Sequence, residues 1–312
     1  MATPLSDVSL MAQPTQEAAA PIIRTIGISD LRESLRLGWE DFKEVPTHAI
    51  VLCLIYPILG LVLARIVLGY SVLPLLFPLA AGFALIGPFA ALGLYELSRR
   101  LEHGEPTPAW GALQVVHSQS FGSMLALGTL LLALFVTWVA VAQAIYVAAF
   151  GYQPAAAIPD FAARMLTTPQ GWWLIAATCG VGFLFAVVVL CVSVVSFPMM
   201  VDRHVGAGEA MATSLRVVAR NPVPIAVWGL IVAALLALGT LPFFLGLAVV
   251  IPLLGHATWH LYRAAVVPDP TRSESDPYPP TVREHRSAAD FPSVLFPPWP
   301  RKQRTRFFDA CE

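Results

Sequence analysis

The chain has 312 residues, 57% hydrophobic and 12% charged, with a mean hydropathy of +0.69 and a formal net charge of −1. Soluble domains carry about 25% charged residues, so a water-soluble fold of this length is excluded, and the near-zero charge gives no bulk attraction to nucleic acid. A disulfide framework is excluded too: Cys53, Cys179 and Cys191 lie in apolar stretches, and Cys311, second from the end in a polar segment, does not fit a prenylation box.

Residues 1–21, rich in Ala, Pro, Gln and Ser, have neither the basic nor the apolar part of a signal peptide and read as disordered. The first span is therefore expected to act as an uncleaved anchor. Ahead of it, Ile28, Leu31, Leu35, Trp39 and Phe42 recur at spacings of three and four, with Arg32, Arg36 and Lys43 off that stripe. Asp30 and Glu33 resemble a capping box, so the segment predicts an amphipathic helix at the membrane interface or under the bundle.

Six apolar stretches follow, each near the roughly 20 residues that span a bilayer: 49–70, 73–95, 123–150, 172–197, 223–239 and 241–261. The last two are separated by little more than Thr240, and Pro242 suits the first turn of a sixth helix. Of the 19 Lys and Arg residues, all except Arg65 and Arg164 fall before span one, in alternate connections or after span six. Positive-inside reasoning then places both termini in the cytoplasm, with short outer loops. Arg65 is expected to snorkel to the outer interface.

Two further interfacial helices are expected. One begins at Thr107–Pro108 with Trp110, Leu113 and His117 on one face, and the other carries Met211, Leu215 and Val218, with Arg216 and Arg220 four apart. Ser34-Leu35-Arg36 recurs as Ser214-Leu215-Arg216, and Pro88…Tyr95…Arg99 recurs with the same intervals as Pro252…Trp259…Arg263. The expected architecture is all-α: a six-span bundle over residues 22–267, built as three hairpins, each preceded by a cytoplasmic amphipathic helix. Residues 268–312 hold nine prolines between Pro268 and Pro300 and read as a disordered cytoplasmic tail. The tail's basic cluster of Arg301, Lys302, Arg304 and Arg306 is suited to anionic headgroups.

Candidate chemistry is sparse. His256 and His260, four apart on one helix face, are the residues best placed to hold haem iron or a metal, and His103, His117 and His204 belong to the same side. No carboxylate-rich ligand set accompanies them, so no cofactor is expected. There is no glycine-rich phosphate loop, nucleophile elbow or zinc-protease helix motif, and the expectation is a protein that is not an enzyme. Glu96, Glu102 and Glu105, interleaved with Arg99, Arg100 and His103, read as a solvated helix face with Glu96–Arg99 and Glu96–Arg100 neighbours. The spans hold no Asp or Glu at mid-depth, which disfavours a coupled carrier. Their polar residues, Thr129, Thr137, Ser193 and Ser196 among them, read as hydrogen-bonding glue between helices.

The segments Ile26-Gly-Ile-Ser-Asp-Leu-Arg-Glu-Ser-Leu-Arg-Leu-Gly-Trp-Glu-Asp-Phe42, Gly87-Pro-Phe-Ala-Ala-Leu-Gly-Leu-Tyr-Glu-Leu-Ser-Arg-Arg100 and Ser196-Phe-Pro-Met-Met-Val-Asp-Arg203 resemble the bacterial family of predicted inner-membrane proteins called domain of unknown function 2189. The resemblance covers residues 21–267 and implies an integral membrane protein of the bacterial cytoplasmic membrane without an assigned activity. Members of that family are sometimes labelled as similar to cytochrome c oxidase subunit I. This chain departs from a haem–copper core, which needs about twice as many spans and histidine ligands spread over several of them. The leading functional expectation is a structural, assembly or lipid-associated role, with the lipid bilayer as partner. The alternatives are a channel or permease component and a haem- or metal-binding respiratory accessory protein. Ending the chain at Val267 is expected to leave membrane localisation unchanged on fractionation; loss of the truncated chain from membranes would give the tail a role in insertion.

Overall fold

A computed structural model describes residues 21–46, 54, 58, 62, 91–108, 111–151, 158–242 and 244–268. Apart from 54, 58, 62 and 91–95, the first two predicted spans lie outside the described residues, as do the Arg65 position, Trp110 and, beyond residues 21 and 268, both predicted disordered tails. What is described is helical: α1 (Ile28–Glu44), α2 (91–103), a 3-10 helix (Gly111–His117), α3 (Phe121–Phe150), α4 (Ile158–Thr167), α5 (Pro169–Ser193), α6 (Ser196–Arg203), α7 (Ala207–Arg220), α8 (Pro222–Thr240) and α9 (Leu247–Ala265).

Three of these segments are long and apolar enough to cross a membrane: Phe121–Phe150, the run Pro169–Arg203 and Pro222–Thr240. At 1.5 Å per residue a helix the length of α3 exceeds a hydrocarbon core about 30 Å thick. α3 and α5 form an antiparallel pair. Trp138 lies against Gly182, where an added Cβ would stand 3.0 Å from the indole, and the Arg164 guanidinium sits 4.8 Å over the Phe150 ring at the far end. Gly180, by contrast, faces open space. The break between α5 and α6 has a local cause. Pro198 has no N–H, and its ring crowds the carbonyl four residues back, so the helix restarts at Ser196 with the proline in its first turn.

The hydroxyls expected to join helices turn inward on their own. Thr129, Thr137, Ser193 and Ser196 each donate to the carbonyl four residues earlier in the chain, at 2.6–2.9 Å. In an apolar setting that is the nearest free lone pair. The cross-helix bond comes instead from Ser214 on α7, which donates to the Cys191 carbonyl at 2.7 Å.

The predicted sixth helix is displaced. Pro242 lies in the turn between α8 and α9, and α9 begins at Leu247 and runs on to Ala265. The turn is tight because Gly239 and Gly246 face each other, and a Cβ on Gly246 would stand 2.8 Å from the Gly239 carbonyl oxygen. α9 is not among the three candidate spans. Its second half buries His256, His260 and Tyr262 inside the protein.

α1 divides the predicted apolar stripe between two environments. Its buried face is Leu31, Ser34, Gly38, Asp41 and Phe42, while Ile28 and Trp39 (43% accessible) of the predicted apolar stripe are exposed. Close approach decides the face: a Cβ on Gly38 would lie 2.6 Å from the Ala257 nitrogen, so the small residues turn toward α9. The cap is shifted as well. Asp30 accepts the Gly27 N–H at 2.7 Å from inside the first turn, and Glu33 instead pairs with Arg36, whose guanidinium holds the Glu33 carboxyl below its usual range. α7 repeats the pattern, burying Ala210, Thr213, Ser214 and Val217 while Leu215 faces outward. The expected helix at Thr107–Pro108 is a 3-10 helix from Gly111. It buries Gly111, Ala112 and Val115 and leaves Leu113 and His117 exposed.

Gly38→Val is expected to lower the thermal midpoint in detergent by an amount corresponding to about 1–3 kcal/mol, through overpacking against the α9 backbone. Gly208→Ala in α7 meets nothing within 4 Å and should raise stability slightly, by up to about 1 kcal/mol, through helix propensity.

Candidate functional site

α2 and α9 run side by side in the same direction. Leu94 meets Gly255, Ser98 meets His256, and Glu102 meets Trp259 and Arg263 in register. α1 lies across them, and the three helices enclose a polar cluster. Ser98 Oγ lies 2.8 Å from Asp41 Oδ2 and 2.7 Å from His256 Nδ1, and His260 Nε2 lies 2.8 Å from the same Asp41 oxygen. Asp41, Ser98 and His256 are wholly inaccessible and His260 nearly so.

Proton placement follows from the acceptors. An ionised carboxylate only accepts, so Ser98 O–H and His260 Nε2–H both donate to Asp41. A neutral His256 then donates its Nδ1–H to Ser98, which leaves Nε2 as a bare lone pair. That atom is buried and has no partner among the described residues. The order differs from a nucleophilic triad, in which the carboxylate orients the imidazole and the imidazole takes the serine proton. Here the carboxylate sits on the serine, and the serine is wholly buried.

Two further networks flank the cluster. Glu96, fully buried, receives Arg99 Nε at 2.9 Å and Arg100 Nε at 2.6 Å; Arg99 also reaches Glu105, and Arg100 reaches Gln114 at 2.6 Å. The predicted pairs Glu96–Arg99 and Glu96–Arg100 both form, but these three residues are buried and not solvated, while Glu102 and Glu105 are partly accessible and His103 is exposed. Two guanidiniums converging on one carboxylate let these charges leave water together. On the other side Glu102 accepts from Trp259 Nε1 and Arg263, both at 2.9 Å, while Asp202 accepts from Tyr262 Oη at 2.5 Å. Arg203 bonds Tyr262 Oη at 3.0 Å and the Val267 carbonyl.

The N-terminal segment is stitched to the same assembly. Ile23 pairs with Val266 in an isolated antiparallel bridge. Asn221, buried between α7 and α8, accepts the Ile26 N–H at 2.8 Å and donates to the Arg24 carbonyl at 3.1 Å.

Of the residues singled out from sequence, His256 and His260 are brought together, through Asp41 and Ser98. Phe42 is buried and stacks on the exposed Trp39 with ring centroids 5.3 Å apart. Arg216 and Arg220 lie exposed on α7; Trp110 and the tail residues Arg301, Lys302, Arg304 and Arg306 lie outside the described residues. Among the described residues no three His, Cys, Asp or Glu side chains are grouped to hold a metal ion. Sequence reasoning missed Asp41, Ser98, Asp202, Tyr262 and Asn221. The signal for Asp41 was present as the stripe Leu31, Ser34, Gly38, Asp41, whose small residues mark close helix packing.

Asp41→Ala leaves the Ser98 hydroxyl and the His260 N–H without their acceptor and should cost about 3–5 kcal/mol. Asp41→Asn, which keeps one carbonyl acceptor, should cost distinctly less. Thermal or denaturant unfolding in one detergent orders the two variants; equal losses would mean that the charge, not the acceptor, holds the cluster.

No curated protein and no solved structure matches the chain. Residues 75–202 match the family model DUF2189, described as predicted integral membrane protein, which is the family that the sequence motifs resemble.

Proposed function

We propose that the chain is a six-span protein of the bacterial cytoplasmic membrane, with both termini cytoplasmic, whose polar base does structural, assembly or lipid-associated work without enzymatic turnover. The observation that carries this reading is the use made of polar groups. At one end of the bundle the carboxylates Asp41, Glu96, Glu102 and Asp202 are each tied to cations or donors within the protein. The long helices meanwhile leave apolar faces bare, such as Phe183, Leu184 and Val188 on α5. A closed, cross-linked base with lipid-exposed helices suits a scaffold. A conduit or a catalyst needs polar groups open to a substrate.

Orientation supports the cytoplasmic placement of that base. It collects the Arg residues of α1, α2, α6, α7 and the end of α9, whereas the α3–α5 connection at the other end carries Arg164. Trp172 and Trp173 are exposed beside that connection, as residues of an outer interfacial belt would be.

The test is threefold. A reporter inserted after Glu105 should read cytoplasmic and one inserted after Pro154 should read periplasmic; the reverse pattern overturns the orientation. Purification in mild detergent should recover lipids or membrane proteins with the chain and no Soret band or stoichiometric metal. Proteoliposomes should show no solute or ion flux above empty vesicles, and measurable flux would favour a channel instead.

A further inference from the structure

We propose that the elbow between α7 and α8 binds an anionic phospholipid, with the Arg216 and Arg220 guanidiniums taking the phosphate and the exposed stripe of α8 taking an acyl chain. This rests on the membrane reading above, and it names the lipid chemistry that the base would recognise.

The first observation is an imbalance of charge. Arg36, Arg99, Arg100, Arg203 and Arg263 each have a carboxylate within 4 Å. Arg216 and Arg220 have neutral partners instead: Arg216 meets the Ala212 carbonyl at 3.3 Å and Thr213 Oγ1 at 3.1 Å, and Arg220 meets Thr25 Oγ1 at 3.2 Å. The one carboxylate of α7, Glu209, sits two turns from Arg216. Two like charges four apart on a helix destabilise it, and a single phosphate between them removes that cost. A guanidinium has five donors in a fixed fork, so each arginine keeps several free.

The second observation is position. Thr213 and Thr25 hold the two arginines, and Asn221 holds the 24–26 segment that carries Thr25, so the cations are oriented before any ligand arrives. Directly after them α8 enters its apolar run, and Val223 and Leu230 are each 67% accessible, with Ala226 exposed between them and Leu238 exposed further along. Val223, Ala226 and Leu230, three and four apart, share one stripe, and Leu238 follows about two turns further on. A cationic pair at the head of an open apolar stripe is complementary to a lipid with an anionic head. A zwitterionic lipid carries the same phosphate with its own cation beside it, so it satisfies the stripe but leaves the charge of the pair unbalanced.

The experiment uses the full chain, delipidated in a neutral detergent, with phosphatidylglycerol, phosphatidylcholine or inorganic phosphate added. Phosphatidylglycerol should raise the thermal midpoint and phosphatidylcholine should not. In Arg216→Gln/Arg220→Gln the apparent affinity should fall about 30-fold, whereas Arg36→Gln, exposed and already paired with glutamates, should behave as wild type. Arg216→Lys/Arg220→Lys should keep a partial response, which separates lost charge from lost folding. An equal response in the double glutamine variant, an equal response to inorganic phosphate, or no response of the wild type overturns the proposal. Flotation of the wild-type chain with membranes is scored in parallel: failure to float refutes the membrane reading itself, and flotation without a phosphatidylglycerol response refutes the lipid site alone.

Discussion

Burial of the Asp41 carboxylate is the constraint on which the described structure turns. A charge removed from water must be met by donors of good geometry, because the effective desolvation penalty is several kcal/mol per ion. Asp41 is met from two other helices, by Ser98 of α2 and His260 of α9. Those bonds form only if the helix axes come close. The glycines allow it: Gly38 admits the α9 backbone at Ala257, and Gly255 admits Leu94 of α2. Polar pairing and small-residue packing are therefore one feature, and neither is attainable without the other.

The same logic extends outward. Glu96 with Arg99 and Arg100, and Glu102 and Asp202 with Arg263, continue the polar layer on either side of the cluster. The paired positions of the sequence recurrences keep similar environments. Ser34 and Ser214 are both buried, and seven residues after each comes a buried polar side chain, Asp41 or Asn221. Tyr95 and Trp259 are likewise buried, and Arg99 and Arg263 both bind glutamate. Asp41 organises the side of the base that faces α9, and Asn221 holds the N-terminal segment against α7 and α8. A neutral amide suffices there because its partners are backbone groups, one donating (Ile26 N–H) and two accepting (the Arg24 and Val217 carbonyls).

The long helices obey a different rule. In lipid, apolar contacts between helices gain little over contacts with lipid tails, so α3, α5 and α8 pack through local fits such as Trp138 on Gly182 and leave much of their surface open. Their hydroxyls fold back on their own carbonyls. Specific association is concentrated in the polar base, and the helices that leave it present surface to the bilayer.

Hydropathy and length by themselves determined that this is a membrane protein and marked α3, α5 and α8, because a helix of that apolarity has few alternatives to lipid. The intervals at 34–36 and 214–216 pointed to α1 and α7 as helices of one kind. Periodicity alone left open whether the stripe meets the interface or the bundle: Ile28 and Trp39 are exposed, whereas the tertiary structure turned Ser34, Gly38 and Asp41 inward beside Leu31 and Phe42. The reason is that an apolar stripe carries no record of whether it meets protein or lipid, and in a bilayer the large apolar residues can face outward at no loss. The pairing of His256 and His260 through Asp41 was equally out of reach of local pattern, since Asp41 lies more than 200 residues away and acquires its role only when α1 crosses α9.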